Sequence, residues 1–396
     1  MKKVTNKFSH PLMSDNITKD DISNLISFIR KTNRFTNGPE VRKFETKWSK
    51  WLGIKYSVFV NSGSSANLLS LAALRIEKGL GEIIVPPLNW SSNIFSIIHN
   101  GFKPKFVDIN LNTLGLDEEK VEKAITKKTK AIFLTHILGL NALTPKIIKL
   151  IKKYKIDLIE DCCESHGAKF NNKKIGTFGN QSNFSFYYAH HMSTIEGGMI
   201  CTNSFNTYEN LRMLRSHGMV REASSLKIKN KYLKKYKDLN KDFIFSYPSY
   251  NVRSTELNAN LGISQLKRLA NNNLKRSKNF NLFLENLDKN KFFINFNTSG
   301  SVNYGLIILL NKKFANFKSR ERLENILKWN NIEFRRGMSG GGNQLRQPYI
   351  KKIVPDFKKN SFQSIEFVHK FGYYIGNYPS LKKEKIMHIC KLLNCI

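Results

Sequence analysis

Two adjacent histidines, His190 and His191, stand in the segment SFYYAHHMSTIEGGMI, which covers residues 185–200. The segment begins as a short apolar run and ends in Gly-Gly, a combination typical of a tight loop that closely approaches a ligand. An imidazole can move a proton in a reaction, because its pKa lies near working pH. His190 is therefore a candidate acid–base catalyst, and a hydrogen-bonded structural histidine is the alternative.

A serine-rich turn precedes a predicted helix in the segment NSGSSANLL, residues 61–69. A strand runs into Gly63 and Ser64, and the helix begins there. Free backbone N–H groups and hydroxyls at a helix N-terminus suit an anion such as phosphate. A serine that only caps the helix would produce the same pattern.

Trp90 and Asp161 follow two further predicted strands, in VPPLNWSSN and IDLIEDCCESHGA. A tryptophan at such a position can stack on a flat cofactor ring, or it can pack in a core or interface. A carboxylate at the end of a buried strand needs a partner, and a protonated ring nitrogen or a helix N-terminus would serve. Glu164 lies three residues further on, close enough to face the same site.

The segments that must position these residues alternate between short apolar runs and helical patterns. The predicted strands are YSVFVNS, EIIVPP, KPKFVDI, KAIFLTHI and IDLIEDC, followed by the pair NFSFYYA and GGMICTN around the histidine loop. Such a βαβ rhythm is typical of parallel strands covered by helices on both faces. The predicted fold class is therefore α/β, with a mixed, mostly parallel sheet between helices.

The pattern changes towards the end of the chain. A long helical stretch that begins near residue 251 leads into the predicted strands FFINFN, NYGLIILL and IEFRR, which lie among further helices. We expect an N-terminal arm and a large domain over residues 1–265, and a smaller α+β domain over residues 266–396.

The net charge of +35 arises from 65 lysine and arginine residues against 30 aspartate and glutamate residues. Nucleic-acid binding would use such a charge. However, the lysines are scattered, and neither a zinc motif nor a repeated arginine–aromatic pattern accompanies them. An anionic small substrate such as a nucleotide diphosphate would use the charge equally well. We therefore predict no nucleic-acid partner.

The sequence lacks the patterns of a membrane span, a secretory signal and a cysteine metal site. No run of 18 apolar residues predicts a membrane span, and MKKVTNKFSHPLMSDNITKDD has no apolar core of a secretory signal. The five cysteines show no spacing typical of a metal site. We expect a cytoplasmic protein with reduced thiols, no membrane association and no metal.

Taken in order along the chain, these motifs resemble those of the sugar-nucleotide aminotransferases, pyridoxal-phosphate enzymes of fold type I, the aspartate-aminotransferase fold. The resemblance covers nearly the whole chain and includes FTNGPEVRKFETKWSKWLG, SGSSANLLSLAAL, FVDINLNTLGLD, LIEDCCESHGA, GTFGNQSNFSF, LRSHG and YNVRSTELNANLGISQL. It implies that the cofactor is pyridoxal 5'-phosphate or pyridoxamine 5'-phosphate. It also implies a homodimer whose active site is shared between subunits.

The same resemblance implies a set of site residues. It places the cofactor phosphate at Gly63, Ser64 and Ser185, the ring against Trp90, the ring nitrogen at Asp161, the ring hydroxyl near Glu164 and the neighbouring subunit's cofactor phosphate at Asn251. For the sugar nucleotide it indicates Thr36 in FTNG, His217 in LRSHG and Arg335 in IEFRR.

Members of the family carry a lysine in the corresponding loop. When the motifs before and after the loop are aligned, that lysine falls at the position of His190. One branch has the same replacement and removes the 3-hydroxyl group of a nucleotide-linked 4-keto-6-deoxy sugar. The resemblance therefore implies a dehydratase for a GDP-linked hexose or heptose, with His190 as proton carrier. The expected products are a 3,6-dideoxy-4-keto sugar and ammonia, and L-glutamate regenerates the pyridoxamine form.

Two alternatives remain for the same residues: a sugar-nucleotide 4-aminotransferase that uses another lysine, and a degenerate, non-catalytic sugar-nucleotide binder. Lys169 and Lys173 lie on the wrong side of the loop for the first. Retention of Trp90, Asp161 and the Gly-Gly pair argues against the second. A related histidine branch acts on CDP-sugars with an iron–sulfur cluster, and the cysteine spacing argues against that chemistry.

Overall fold

Alternating helices and strands make up the chain, which a computed structural model describes over residues 9–353 and 362–396. The helices are α1 Lys19–Ile29, α2 Pro39–Leu52, α3 Gly63–Lys78, α4 Ser91–His99, α5 Glu118–Ala124, α6 Pro145–Tyr154, α7 Phe205–Leu214, α8 Leu226–Lys235, α9 Glu256–Glu285, α10 Phe317–Trp329, α11 Pro348–Ile353, α12 Gln363–Phe371 and α13 Lys383–Leu393. The strands are β1 Tyr56–Val60, β2 Glu82–Val85, β3 Lys103–Phe106, β4 Thr129–Thr135, β5 Asp157–Asp161, β6 Lys169–Phe170, β7 Lys173–Lys174, β8 Gln181–Ser185, β9 Gly198–Thr202, β10 Gly305–Leu309, β11 Phe334–Arg336 and β12 Gly372–Gly376. Within these residues, no helix is long and apolar enough to cross a membrane.

The main sheet has seven strands in the order β1-β9-β8-β5-β4-β2-β3. The pairs β3–β2, β2–β4, β4–β5 and β5–β8 are parallel. β9 is antiparallel to both of its neighbours, β8 and β1. The sheet is therefore mixed and mostly parallel, which confirms the predicted fold class. Because β9 runs antiparallel to β8, the histidine loop between them is a direct connection of two neighbouring strands.

The central strands β5, β8 and β9 are buried along their whole length, as expected where helices cover both faces of a sheet. On one face, α2 contributes Phe44 and Trp48, which are fully buried. The Trp48 ring lies 5.0 Å from that of Phe184 and 4.9 Å from that of Phe186. This aromatic cluster supports the chain where it leaves β8 and enters the histidine loop.

A second sheet has three antiparallel strands in the order β10-β12-β11. The predictions NYGLIILL and IEFRR are confirmed as β10 and β11. The prediction of a strand at FFINFN is wrong, because there only an isolated pairing of Phe292 with Leu310 is formed. β12 was not predicted, since the apolar run in FGYYIGN is short and continues directly from the helix α12.

The long helix α9 spans the predicted domain boundary. Residues 265 and 266 both lie inside it, and the helix contacts α1 and α2 as well as α13 and β10. The division of the chain into residues 1–265 and 266–396 therefore stays a prediction.

Candidate active site

Residues that follow or end the strands β1, β2, β4, β5 and β8 converge on one cavity of about 700 Å³. Ligands of open α/β sheets bind at this carboxyl edge. The predicted residues that line the cavity are Gly63, Ser64, Trp90, Asp161, Glu164, Ser185, His190 and Arg335. The structure thus brings together side chains that are far apart in sequence.

The first turn of α3 forms one wall of the cavity. Ser62 caps the helix, and its Oγ accepts a hydrogen bond of 3.1 Å from Ser65 N. The N–H groups of Gly63 and Ser64 belong to the first turn, where no intrahelical acceptor exists. A Cβ atom at Gly63 would lie 2.5 Å from Ser185 Cβ, so only glycine permits this close approach. The arrangement fits an anion such as a phosphate group.

Asp161 ends the buried strand β5 and is held from two sides. Its Oδ2 accepts a hydrogen bond of 2.8 Å from Asn93 Nδ2, and its Oδ1 accepts one of 3.0 Å from Cys163 N. No helix follows directly, so the alternative of a helix cap does not apply. The carboxylate is fixed in orientation at the cavity wall, as a partner for a protonated ring nitrogen must be.

Trp90 stands immediately before α4 and lines the same cavity. Its side chain is 59% exposed, so a place in the hydrophobic core is excluded. An exposed indole at the rim of a cavity is available for stacking on a flat ring or for contact with another chain.

Glu164 is enclosed by two segments of the chain. Its Oε2 accepts a hydrogen bond of 2.7 Å from Leu138 N, and its Oε1 accepts one of 2.7 Å from Ser339 Oγ. Burial raises the pKa of Glu164 to about 7, and the negative charge of Asp161 acts in the same direction. Near neutral pH this side chain can therefore hold or release a proton.

His190 lies in the loop between β8 and β9 and lines the cavity. Its backbone N donates to Tyr187 O at 3.0 Å, and its backbone O accepts a hydrogen bond of 3.2 Å from Asn16 Nδ2. The ring atom Nδ1 is buried and has no hydrogen-bond partner among the described residues. Burial lowers the pKa of His190 to about 3, with a contribution from the charge of Arg276. The imidazole is therefore neutral at physiological pH. It is also a weaker base than a free imidazole, which differs from the pKa near working pH expected from the sequence.

His191 has a different environment from its neighbour. It is 2% exposed, and its Nε2 lies 2.9 Å from Val302 O. Because a carbonyl oxygen can only accept, Nε2 carries the proton. Its ring packs 5.2 Å from that of His166. A hydrogen-bonded structural histidine, the alternative considered for His190, therefore describes its neighbour His191, whereas His190 lines the cavity.

Three tyrosines that sequence reasoning did not single out line the cavity: Tyr187 in the histidine loop, and Tyr304 and Tyr374 on the opposite wall. The ring of Tyr304 lies 5.5 Å from that of His190 and 5.9 Å from that of Tyr374. Tyr304 precedes β10 and Tyr374 belongs to β12, so the second sheet supplies this wall. These last two tyrosines lie in apolar runs, where an aromatic residue is typical of a core, and no spacing distinguished them.

Three predicted site residues lie away from the cavity: Thr36, His217 and Asn251 are all exposed. His217 N donates to Tyr250 O at 2.6 Å, and Asn251 pairs with Ser216, so these two residues share one surface. The Asn251 side chain accepts a hydrogen bond of 3.0 Å from Arg253 Nε. Within a single chain these residues do not reach the cavity, and their roles stay predictions.

One group of side chains has the composition of a metal site. Ligand atoms of His136, Glu160 and Cys162 lie within 4.8 Å of one another. However, the Glu160 carboxylate accepts hydrogen bonds from three backbone N–H groups, those of Gly176, Phe178 and Gly179. His136 Nδ1 accepts another from Ala142 N. These contacts tie Glu160 and His136 to the backbone of neighbouring segments, which is the pattern of a structural support.

Known proteins of the same architecture extend these observations. The sequence pattern of the DegT/DnrJ/EryC1/StrS aminotransferase family matches residues 16–394. The GDP-4-keto-6-deoxy-D-mannose 3-dehydratase of Escherichia coli O55:H7 is 37% identical over 395 residues, which cover 97% of this chain and 99% of that protein. The structure of an E. coli GDP-4-keto-6-deoxy-D-mannose-3-dehydratase with bound hydrated PLP is 33% identical. It has a TM-score of 0.88 and covers 98% of this chain and 100% of its own.

A further structure shows a GDP-4-keto-6-deoxymannose-3-dehydratase with a trapped PLP-glutamate geminal diamine. It is 33% identical with a TM-score of 0.88, over 97% of this chain and 100% of its own. The fold is thus that of pyridoxal-phosphate enzymes of type I, as predicted. From the match over residues 16–394 it follows that the chain belongs to the DegT/DnrJ/EryC1/StrS aminotransferase family.

Proposed function

We propose that this protein is a 3-dehydratase that depends on pyridoxal and pyridoxamine phosphate. It removes the 3-hydroxyl group of a GDP-linked 4-keto-6-deoxy sugar and yields a 3,6-dideoxy-4-keto sugar. The observation that carries the proposal is the position of His190 on the cavity. Among the described residues that line the cavity, none is a lysine. A 4-aminotransferase, the main alternative, requires that amine.

The cavity has the donor set that the cofactor needs. The first turn of α3, with Gly63, Ser64 and Ser185, would hold the phosphate. Trp90 would cover the ring, and the fixed carboxylate of Asp161 would bond its nitrogen. When bound, the cofactor supplies an amine for the keto group of the sugar and an electron sink for C–H bond cleavage. Since no lysine stands among the described residues of the cavity wall, these contacts would retain the cofactor without a covalent bond.

His190 would carry out the proton transfers. Its imidazole is neutral, because burial lowers its pKa to about 3. We assign the transfer to Nε2, since Nδ1 is enclosed. The nitrogen would first accept a proton and then donate it to the departing 3-hydroxyl group, which leaves as water. The loop geometry is maintained by the hydrogen bond from Asn16 Nδ2 to His190 O.

The roles of glutamate and of a second subunit belong to the same proposal. Glutamate would regenerate the pyridoxamine form, in line with the PLP-glutamate adduct seen in a related dehydratase. Thr36, His217 and Asn251, which lie outside the cavity of their own chain, would serve the cavity of a homodimer partner. The exposed apolar stripe of α1, Ile22, Ile26 and Ile29, supports a contact between subunits. The reaction would take place in the cytoplasm, where nucleotide sugars are made.

One reaction mixture tests the function. Purified protein is incubated with pyridoxamine phosphate, L-glutamate and GDP-4-keto-6-deoxymannose, and 2-oxoglutarate, ammonia and the mass of the sugar nucleotide are followed. We expect ammonia and a sugar that has lost its 3-hydroxyl group. A 4-amino sugar would establish the aminotransferase instead. Absence of turnover with hexose and heptose keto-sugar nucleotides would indicate a non-catalytic binder.

A further inference from the structure

A glycine-rich loop, residues 337–342, crosses the cavity opposite the strand ends of the main sheet. Met338, Ser339, Gly340 and Gly341 line the cavity. Backbone φ is positive at Gly337 (82°), Met338 (62°), Gly340 (61°), Gly341 (77°) and Gly342 (94°). For Met338 this conformation is unfavourable, and such strain persists only where the surrounding structure enforces it, often at functional sites.

Both ends of the glycine-rich loop are anchored. Gly337 N donates to Gly372 O at 2.7 Å, and Gln344 N donates to Pro87 O at 3.0 Å. In the middle, Gln344 Nε2 donates to Gly340 O at 2.7 Å. A Cβ atom at Gly340 would lie 2.1 Å from Asn89 O, so the loop packs directly against the residue before Trp90. The loop therefore presents its one hydroxyl, that of Ser339, in a fixed position.

That hydroxyl contacts Glu164. Ser339 Oγ donates a hydrogen bond of 2.7 Å to Glu164 Oε1 across 175 residues of sequence, while Leu138 N holds the other carboxylate oxygen. Ser339 is 3% exposed, so this contact is largely shielded from bulk water. Ionisable groups that interact with Glu164 include Asp161, Cys163, Tyr304 and Tyr374. The same cavity is also lined by Arg335, Arg336, His136 and His190. The two hydrogen bonds favour the ionised carboxylate, against its burial and the negative charge of Asp161.

We propose that Ser339 is a positioning residue for Glu164: its hydroxyl orients the carboxyl group on the cavity wall, where the ring hydroxyl of the cofactor would lie, and shifts its ionisation towards the carboxylate. The inference rests on the proposed function, because it gives Glu164 a cofactor to face. It adds a link between the glycine-rich loop, which lines the cavity, and the electronic state of the cofactor ring. A hydroxyl that donates to a carboxylate favours its ionised form.

The first test measures the carboxylate itself in the apoprotein. Carbon-13 NMR of protein labelled at the glutamate carboxyl carbon reports the pKa of Glu164, and Glu164→Gln identifies its signal. In Ser339→Ala we expect this pKa to move upward by about one pH unit from its starting value. Ser224→Ala is the matched control, because Ser224 Oγ donates to Glu209 in the same way, elsewhere in the chain. It should leave the Glu164 signal unchanged.

The second test uses the cofactor-loaded enzyme with GDP-4-keto-6-deoxymannose. The pH dependence of kcat should contain the ionisation of Glu164, and Ser339→Ala should move it by the same amount as in the NMR experiment, whereas Ser224→Ala should not. A Glu164 pKa that does not respond to Ser339→Ala overturns the inference. A pH profile of kcat that is unchanged in Ser339→Ala, although the NMR pKa of Glu164 has moved, also overturns the inference. Wild-type protein without turnover would instead contradict the proposed function, and the NMR result would still decide whether Ser339 controls Glu164.

Discussion

Asn93 Nδ2 donates a hydrogen bond of 2.8 Å to Asp161 Oδ2, so α4 fixes the carboxylate at the end of β5. The same nitrogen lies 3.2 Å from Thr135 Oγ1, and the Asn93 side chain is completely buried. A carboxylate that must bond a cofactor nitrogen benefits from such support, because its orientation is then settled before the ligand arrives. Asn93 is thus a positioning residue that sequence reasoning missed.

Replacement of Asn93 by alanine should weaken cofactor binding. The loss of a hydrogen bond to a buried carboxylate costs about 1.5 kcal/mol, which corresponds to roughly a tenfold higher Kd for pyridoxal phosphate. Quenching of tryptophan fluorescence by the cofactor would measure it. Asn100→Ala is the control, because Asn100 follows the same helix, donates to Ser96 O of α4 and to Leu68 O of α3, and does not touch Asp161. Equal affinities in the two variants would contradict the role of Asn93.

Replacement of His190 by asparagine should abolish dehydration while the cofactor still binds. Loss of a general acid–base group lowers rates by about 10² to 10⁴-fold, and His190 is not among the residues assigned to the phosphate or the ring nitrogen. The measurements are kcat for sugar dehydration and the Kd of pyridoxal phosphate.

His191→Asn provides the contrast for this variant. His191 is packed against His166 and bonded to Val302 O, so its replacement should lower the midpoint of thermal unfolding and, in the protein that stays folded, leave the chemistry intact. Full dehydratase activity in His190→Asn would refute the catalytic assignment.

Gly63→Ala should distort the first turn of α3, which would hold the cofactor phosphate. Its added methyl group would lie 2.5 Å from Ser185 Cβ, so β8 and α3 would have to move apart. We expect cofactor affinity to fall by at least tenfold, as measured by equilibrium dialysis. Gly53→Ala is the comparison: φ there is 89° and no atom lies within 4 Å of the added Cβ, so backbone strain of about 1 kcal/mol is the only penalty. A Gly63→Ala protein that binds the cofactor normally would argue against a phosphate at this turn.

The strand-end residues could be predicted from sequence because each follows a recognisable apolar run. Gly63, Trp90, Asp161 and Ser185 follow or end four strands that run in the same direction in one mixed sheet, so they lie at the same edge of that sheet. The order of these motifs, together with a family resemblance, was enough to place His190 among them. Much of the large sheet was predictable for the same reason.

The opposite wall of the cavity could not be predicted in this way. Tyr304, Ser339 and Tyr374 come from the second sheet and its glycine-rich loop, and their approach depends on how that sheet packs against the first. Apolar periodicity marks which residues are buried, but it does not state which element they will face. The contact between Ser339 and Glu164 joins residues 175 positions apart. The sequence around either residue does not indicate that the two side chains meet.

The N-terminal arm should make the protein sensitive to acid through His10. This residue is completely buried, stacks on Tyr378 and has its Nε2 2.9 Å from Gly376 O. Burial lowers the pKa of His10 to about 4, whereas a free histidine titrates near 6.5. Between these pH values the unfolded chain binds more protons, so the free energy of unfolding must fall as the pH drops from about 6.5 towards 4.

For a pKa difference of about 2.5, the contribution of His10 is about 3 kcal/mol, since each pH unit corresponds to about 1.4 kcal/mol. Urea denaturation of the apoprotein at a series of pH values would measure it. His10→Asn should be less dependent on pH over this range by that amount, whatever its stability at pH 7. Replacement of the exposed His99 should preserve the wild-type slope. If wild type and His10→Asn lose stability in parallel on acidification, the buried imidazole is not the group that titrates.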